Sequence, residues 1–371
     1  MSAPTLAGLP PMDVAARADR LRARFDEAGV DALQVTRLPN VAYLTGFTGS
    51  AAMLLIGDEL VFVTDGRYAE QSAEQLGEAG VRARIEARTT HTGQRDAVRE
   101  AAAGYARLGL EAHGVTWAQQ RSFASDWFPD AELIPTEHLV EDLRRVKESA
   151  EVARVHAACA VADEALAVVT PRLAERATEQ EIALQLEIEM RARGASGTSF
   201  ETIVASGPNS AKPHARPTRR RIAPGEPVVV DFGCVVDGYC SDMTRTFSVG
   251  DPGPQARRVY EVVQAAQRTG RDSVIAGADC AQVDKACRDV IVAAGWGDAF
   301  VHGTGHGVGL EIHEAPRVAA TARDTLDAGC VVTVEPGVYL PGTGGVRIED
   351  TVVVTDEGAD VLTGFPKDFV L

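Results

Sequence analysis

The chain contains no C-x-x-C pair, no H-E-x-x-H, no G-x-S-x-G and no G-x-G-x-x-G. These gaps remove a dithiol redox or thiolate zinc centre, a helical zinc-protease motif, a serine-nucleophile elbow and a dinucleotide loop. Positive charge is short as well: 37 Lys and Arg face 53 Asp and Glu, giving a net charge of -16 and a pI near 5.0. Nucleic acid and anionic membranes both recruit clustered basic residues, so neither is an expected partner. No apolar run approaches the roughly 20 residues of a membrane helix. The opening "MSAPTLAGLPPM" lacks the charged-then-apolar pattern of a secretory leader, and a cytoplasmic protein is expected. Six cysteines at irregular spacings read as reduced, buried small hydrophobes.

What is present divides the 371 residues near Glu141 to Arg145. Residues 1–142 alternate helical and strand patterns, as an α/β layer does. "DVAARADRLRARFDEAG" reads as a helix stopped by Gly29; "DALQV", "AAMLLIG", "ELVFVTD" and "AELIP" read as strands; "GQRDAVREAAAGYA" and "TWAQQRSFASDWF" read as further helices. Residues 143–371 open with a long helix in which Val152, Val155, Cys159, Ala162, Leu166 and Val169 recur at three- and four-residue steps. A second helix begins at a Thr178 and Glu181 capping box and stops at Gly194.

The second unit then repeats itself. "IAPGEPVVVDFG" at 222–233 is matched 104 residues later by "LDAGCVVTVEPG", so that Gly225 precedes Asp231 as Gly329 precedes Glu335. The helix closed by Gly194 has a counterpart closed by Gly295, and the helix from Glu148 has one from Gln255. Two halves, each helix, helix, then strands, are expected around a pseudo-twofold axis.

Each half carries a pair of acids. Asp237-Gly238 is a strong signal for a two-residue hairpin turn, and centring the turn there pairs Val236 with Tyr239, Gly233 with Asp242 and Asp231 with Thr244. Asp231, Asp242 and Thr244 then share a face. Glu335 and Glu349, joined by a Pro/Gly loop, reach a common face if that loop is odd-membered. Carboxylates on Val-rich, buried strands are costly unless neutralised. Four of them meeting at the axis require about four positive charges, which two divalent cations supply.

A nitrogen ligand is sought in "VHGTGHGVGLEIHEAP", which holds His302, His306 and His313. Alternate glycines forbid a stable helix there, and in extended chain residues four apart stand about 13 Å from each other. At most one of His302 and His306 binds a given ion. His91, His113, His138 and His156, isolated among unremarkable neighbours, read as surface or structural residues.

Together these residues resemble the pita-bread metallopeptidases, and among them the Xaa-Pro peptidases, aminopeptidase P and Xaa-Pro dipeptidase (prolidase). "YLTGFTGSAAMLL" and "TDGRY" are similar to the N-terminal domain of that family; "PHARP", "VVVDFG", "GYCSDMTRTF", "HGTGHGVGLEIHE", "VEPGVY" and "GVRIEDT" match its catalytic motifs in order. The resemblance implies a creatinase/prolidase-type α/β domain over 1–142 and an α+β pita-bread catalytic domain over 143–371. It implies Asp231, Asp242, His306, Glu335 and Glu349 as ligands of two divalent ions, manganese first, with cobalt, iron or zinc as alternatives. A water or hydroxide shared by the ions would be the nucleophile and Glu335 its proton shuttle. His214, His302 and His313 would line the substrate site, donating hydrogen bonds to the scissile carbonyl and the proline side. Arg347 and Thr244 would orient ligand carboxylates. The implied substrates are Xaa-Pro dipeptides or short peptides, and the implied assembly is a homodimer through the N-terminal domain. Methionine aminopeptidase-like and creatinase-like activities, or a non-catalytic binding module of the same fold, are the alternatives. Cys234 stands where the family keeps a small apolar residue.

Overall fold

The computed structural model describes residues 6–371 and divides into two compact units, Pro11–Arg144 and Arg145–Leu371, the latter gathering residues 6–10 as well. In the first unit, strands β1 (Ala32–Val35), β2 (Ala52–Ile56), β3 (Leu60–Asp65), β4 (Arg84–Arg88), β5 (Arg107–Glu111) and β6 (Glu132–Thr136) form one sheet in the order β4-β3-β2-β1-β5-β6. Strand β2 runs antiparallel to both neighbours and the remaining pairs are parallel. All four residues of β1 are buried, as expected of a central strand covered on both faces. Helices α1 (Arg17–Arg22) and α2 (Phe25–Ala28) replace the single helix expected there, and Gly29 stops α2 in the left-handed region at φ 69°. Helix α3 (Leu38–Thr45), entered through Pro39, and α4 (Ala69–Glu78) lie in stretches where the sequence patterns suggested no helix. Helices α5 (His91–Ala102) and α6 (Trp117–Ser122) follow, and α6 runs into a wide turn, Phe123–Trp127. A short helix, α7 (Glu141–Arg145), lies where the chain passes to the second unit.

The second unit opens with α8 (Ser149–Val169), whose Val155, Cys159, Ala162, Leu166 and Val169 are fully buried. Helix α9 (Glu179–Ala192) starts at the Thr178 and Glu181 capping box, with both reciprocal bonds formed. Strands β7 (Gly197–Thr198), β8 (Ile203–Ser206), β9 (Pro227–Phe232), β10 (Cys234–Val236), β11 (Tyr239–Cys240) and β12 (Met243–Ser248) complete the first half. The second half repeats the plan with α10 (Gly253–Asp272), α11 (Cys280–Ala293), β13 (Gly305–Gly307), β14 (Glu314–Val318), β15 (Val331–Val334), β16 (Gly337–Leu340), β17 (Gly344–Arg347), β18 (Asp350–Thr355) and β19 (Gly358–Val361). In the first half β8-β9-β12 form an antiparallel sheet with the hairpin β10–β11 continuing it; in the second β15 pairs with β18 and the hairpin β16–β17 lies between them in sequence.

Each half has its own apolar core. One gathers Ala158, Leu166, Ile182, Leu186, Val228, Val230 and Phe247; the other gathers Val263, Val283, Ile291, Val332, Val334 and Val352. Burying one such aliphatic side chain contributes about 1.5–3 kcal/mol, so both halves hold their strands independently of the acids. Gly225 and Gly329 occupy equivalent left-handed turns, at φ 79° and 91°. All six cysteines are buried and free, and burial pushes the Cys234 thiol up to about 11. No described helix is long and apolar enough to cross a membrane.

Candidate metal centre and active site

Asp231 is the penultimate residue of β9 and lies opposite Thr244 on β12. Beyond Phe232 the two strands come so close that a Cβ on Gly233 would stand 1.9 Å from the Ser241 carbonyl oxygen. Only glycine permits that approach. The chain turns back at Asp237-Gly238, both in the left-handed region as a type I′ turn demands, and Val236 pairs with Tyr239 in the expected register. Asp242 thereby arrives immediately before β12. In the second half Val334 pairs with Asp350, so the next step of the same register sets Glu335 opposite Glu349. The odd-membered loop that the sequence left open is therefore realised.

Backbone and threonine bonds stitch the halves together at this level. The Glu349 N–H donates to the Thr244 carbonyl at 3.1 Å, Thr246 Oγ1 to the Arg347 carbonyl at 2.7 Å and Thr351 Oγ1 to the Asp242 carbonyl at 2.7 Å. As a result, Asp231, Asp242 and Glu349, all buried, each place a carboxylate oxygen within 4.8 Å of the others. His306 completes the cluster from β13. Its Nε2 lies 3.5 Å from both Asp242 Oδ2 and Glu335 Oε1, while its Nδ1 donates to the Gly307 carbonyl at 3.1 Å. With the proton fixed on Nδ1, the Nε2 lone pair faces two carboxylates. Lone pair against carboxylate is repulsive unless a cation lies between them.

The electrostatics point the same way. Burial, and after it the charges of Glu349, Asp231 and Glu335, push the Asp242 carboxyl far above its usual range; burial followed by Glu335 and Asp231 does the same to Glu349. Burial lifts Glu335 to about 8 against the pull of Arg347. Arg347 is the one guanidinium bonded to these carboxylates among the described residues, donating to Asp231 Oδ2 at 2.5 Å. Asp231 Oδ1 and Glu349 Oε1 remain buried with no hydrogen-bond partner. Orphaned anionic oxygens are costly in a protein interior, and a divalent cation is what this donor set of four carboxylates and one imidazole fits.

Around the acids lies a cavity of about 740 Å³, lined by Phe200, Ile203, His214, Ile312, His313 and Arg317 among others. Thr244 Oγ1 donates to Glu349 Oε2 at 2.7 Å and accepts from Arg347 Nε at 3.1 Å. His313 packs edge-on against His306 with ring centres 4.3 Å apart, and burial lowers its pKa. His214 is exposed on the loop after β8, whose Pro213 carbonyl accepts from Arg347 at 3.2 Å. His302 lines the cavity as well, with its Nδ1 facing the Gly303 carbonyl at 2.8 Å and its Nε2 the Tyr339 hydroxyl at 2.8 Å. Burial depresses its pKa to about 4, which keeps the ring neutral.

Two groups escaped the sequence reading. Tyr339 links Arg347, which donates to it at 2.7 Å, to His302; it closes the quoted "VEPGVY", but nothing in the sequence places its hydroxyl. Glu314, beside His313, forms an ion pair with buried Lys147 at 3.2 Å and accepts from the Glu311 N–H at 3.0 Å. Of the other histidines, His113 and His138 stack on each other at 4.5 Å, outside this site.

The model of metallopeptidase family M24 matches residues 153–356, and that of the creatinase/prolidase N-terminal domain matches 17–146. The chain belongs to metallopeptidase family M24. The M24 catalytic half has the pita-bread fold, preceded here by a creatinase-type N-terminal domain, and family membership makes the chain a metallopeptidase that works with divalent metal ions. An Xaa-Pro dipeptidase from Bacillus anthracis is 39% identical with a TM-score of 0.92, covering 96% of this chain and 100% of its own. An Xaa-Pro dipeptidase of Pyrococcus furiosus is 34% identical, over 95% of this chain and 99% of its own. An X-Pro aminopeptidase from Thermotoga maritima is 32% identical with a TM-score of 0.86, over 96% and 100%.

Proposed function

We propose that this M24 enzyme is an exopeptidase that hydrolyses the Xaa-Pro imide bond of dipeptides in the cytoplasm, using two divalent ions held by Asp231, Asp242, His306, Glu335 and Glu349. The observation that carries the reading is the buried trio Asp231, Asp242 and Glu349, with two orphaned oxygens, and an imidazole lone pair turned toward Asp242 and the half-buried Glu335. The names of the relatives supply the bond that is cut. Manganese is the ion we expect first; cobalt, iron and zinc suit the same oxygen-rich donors.

When bound, divalent ions supply Lewis acidity to a water and to the scissile carbonyl. Glu335, steadied by Thr333 Oγ1 at 3.4 Å, accepts the proton of the attacking water and delivers it to the proline nitrogen. A tertiary amide nitrogen leaves readily only once protonated. His313 donates to the carbonyl oxygen as charge develops there, and His214 flanks it from the facing loop. His302, held from behind by Tyr339, lines the side of the cavity that takes the proline ring, and Arg347 fixes Asp231.

Arg216 and Arg317, both exposed, line the cavity. Arg216 is paired with Glu201 at 3.2 Å, whereas Arg317 has no acidic partner among the described residues. A guanidinium at that position suits the C-terminal carboxylate of a dipeptide, which favours dipeptidase over the aminopeptidase reading. We expect a homodimer, which light scattering measures.

The test offers the purified protein, with manganese and after chelation, an Xaa-Pro dipeptide, an Xaa-Pro tripeptide and an Xaa-Ala dipeptide. Metal-dependent cleavage of the first above the other two is expected. Equal cleavage of the alanine peptide removes proline selectivity, preference for the tripeptide makes the enzyme an aminopeptidase, and activity that survives chelation sinks the mechanism.

A further inference from the structure

Glu179 is a fully buried carboxylate that takes no part in the acid cluster. It is the first residue of α9, a place where a glutamate ordinarily stays in solvent beside the helix's positive end. Here it turns inward. Its Oε1 accepts from the Ser206 N–H at 2.7 Å, Ser206 Oγ at 2.8 Å and Asn209 Nδ2 at 3.1 Å; its Oε2 accepts from the Thr218 N–H at 2.9 Å and Thr218 Oγ1 at 2.5 Å. The first N–H groups of α9, which have no partner within a helix, are spent on the same segment: Glu179 N–H donates to the Arg220 carbonyl at 3.0 Å and Gln180 N–H to the Thr218 carbonyl at 3.1 Å.

The chain between Ser206 and Thr218 is therefore fastened at both ends by one side chain. Between those ends it makes a short turn, Gly207–Ala211, and then contributes Pro213, His214, Ala215 and Arg216 to the cavity wall. Its opposite side rests on β17, where the Gly345 N–H donates to Ser210 Oγ at 2.8 Å and Arg347 to the Pro213 carbonyl. Apolar anchorage is slight, Ala215 packing on Ile203 and Ala205 alone as a small cluster. Polar bonds, and above all those to Glu179, hold the loop.

We infer that Glu179 is a positioning residue for the peptidase reaction, a buried clasp that fixes the His214 loop against the substrate cavity. The inference rests on the proposed function in one respect, that His214 touches the peptide. The metal ligands come from other elements, so the clasp acts on substrate binding and leaves metal binding alone.

The test uses Glu179→Gln, which keeps the volume but turns one acceptor into a donor facing other donors. For an Xaa-Pro dipeptide, KM is expected to rise about tenfold, with manganese affinity unchanged. Hydrogen exchange of the amides between 207 and 218 should quicken while that of β9 and β15 stays as it was. In a His214→Ala background, Glu179→Gln should add less than twofold, because both act through one contact. Asn209→Ala and Thr218→Val, each removing one donor, should give graded versions of the same pattern and decide the matter if Glu179→Gln does not fold. Full additivity with His214→Ala, a parallel fall in manganese affinity, or unchanged loop exchange overturns the inference. Should the wild-type enzyme cleave no Xaa-Pro peptide, the functional reading fails by itself, and loop exchange still decides the clasp.

Discussion

Glu335 stands one residue past the end of β15, facing His306 at 3.5 Å and steadied by Thr333. A residue that shares in holding cations and also carries a proton fails in a distinctive manner when its basic oxygen is lost. Glu335→Gln keeps the shape and one oxygen, and kcat/KM for an Xaa-Pro dipeptide is expected to fall at least about 100-fold. The loss should persist in saturating manganese; recovery at high metal would leave Glu335 a ligand and nothing more. At this scale the sequence also reached its limit. Spacing could say that at most one of His302 and His306 binds a given ion, but only the family resemblance chose His306. What separates them physically is the partner of the second ring nitrogen: Nε2 of His306 is left for the acids, and that of His302 is taken by Tyr339. Tyr339 was invisible because the reach of a phenol depends on where the β16–β17 hairpin returns Arg347.

Among the elements, β13 explains the run of glycines in residues 301–316. A Cβ on Gly305 would lie 2.0 Å from the Thr333 carbonyl oxygen, and one on Gly307 2.3 Å from that of Ala315. The glycines let three backbones crowd together so that His306 reaches Glu335, just past β15, and Asp242, just before β12. Gly305→Ala is thus expected to cost at least about 3 kcal/mol and to weaken manganese binding, read by thermal melting with and without the metal; a variant as stable and as tightly metal-bound as wild type would refute the close approach. The first hairpin was legible because Asp237-Gly238 dictates its register, while the second depended on a loop whose length signals nothing by itself. Helix α9 shows the reverse case, since its capping box was legible and the inward turn of Glu179 was not. Burial alone would raise the Glu179 pKa, but the bonds from Thr218, Ser206 and Asn209 outweigh it and hold the group below its usual 4.5. A carboxylate so depressed contributes stability above its unfolded pKa that disappears as pH falls through the folded value. The gap in melting temperature between wild type and Glu179→Gln should accordingly be widest near neutrality and close in acid; a gap independent of pH would mean the charge contributes nothing.

For the molecule as a whole, duplication of one helix-helix-strand plan was readable from the 104-residue offset because both copies need the same left-handed glycine before the same kind of strand. Convergence of the copies was an argument from charge, and it has a thermodynamic consequence. The protein gathers three of its 53 acids in one buried cluster with half-buried Glu335 beside it and a single guanidinium bonded to their carboxylates, in a chain already at -16. Each copy has a separate apolar core that maintains its strands, so the fold does not need metal to exist. What metal does is relieve repulsion between the copies. An ion present at about 100 times its dissociation constant stabilises the native state by roughly 2.7 kcal/mol. In a unit of this size that corresponds to a rise of about 5–10 °C in melting temperature per site. Chelation should therefore lower the melting temperature by that order while circular dichroism still reports a folded protein, and manganese should restore it. Magnesium, which dehydrates reluctantly and demands octahedral oxygen ligands, should restore less. If stripping every divalent ion left the melting curve unmoved, the acids of the two halves would be tolerating one another without a cation, and the case for a metal centre at their junction would fall with them.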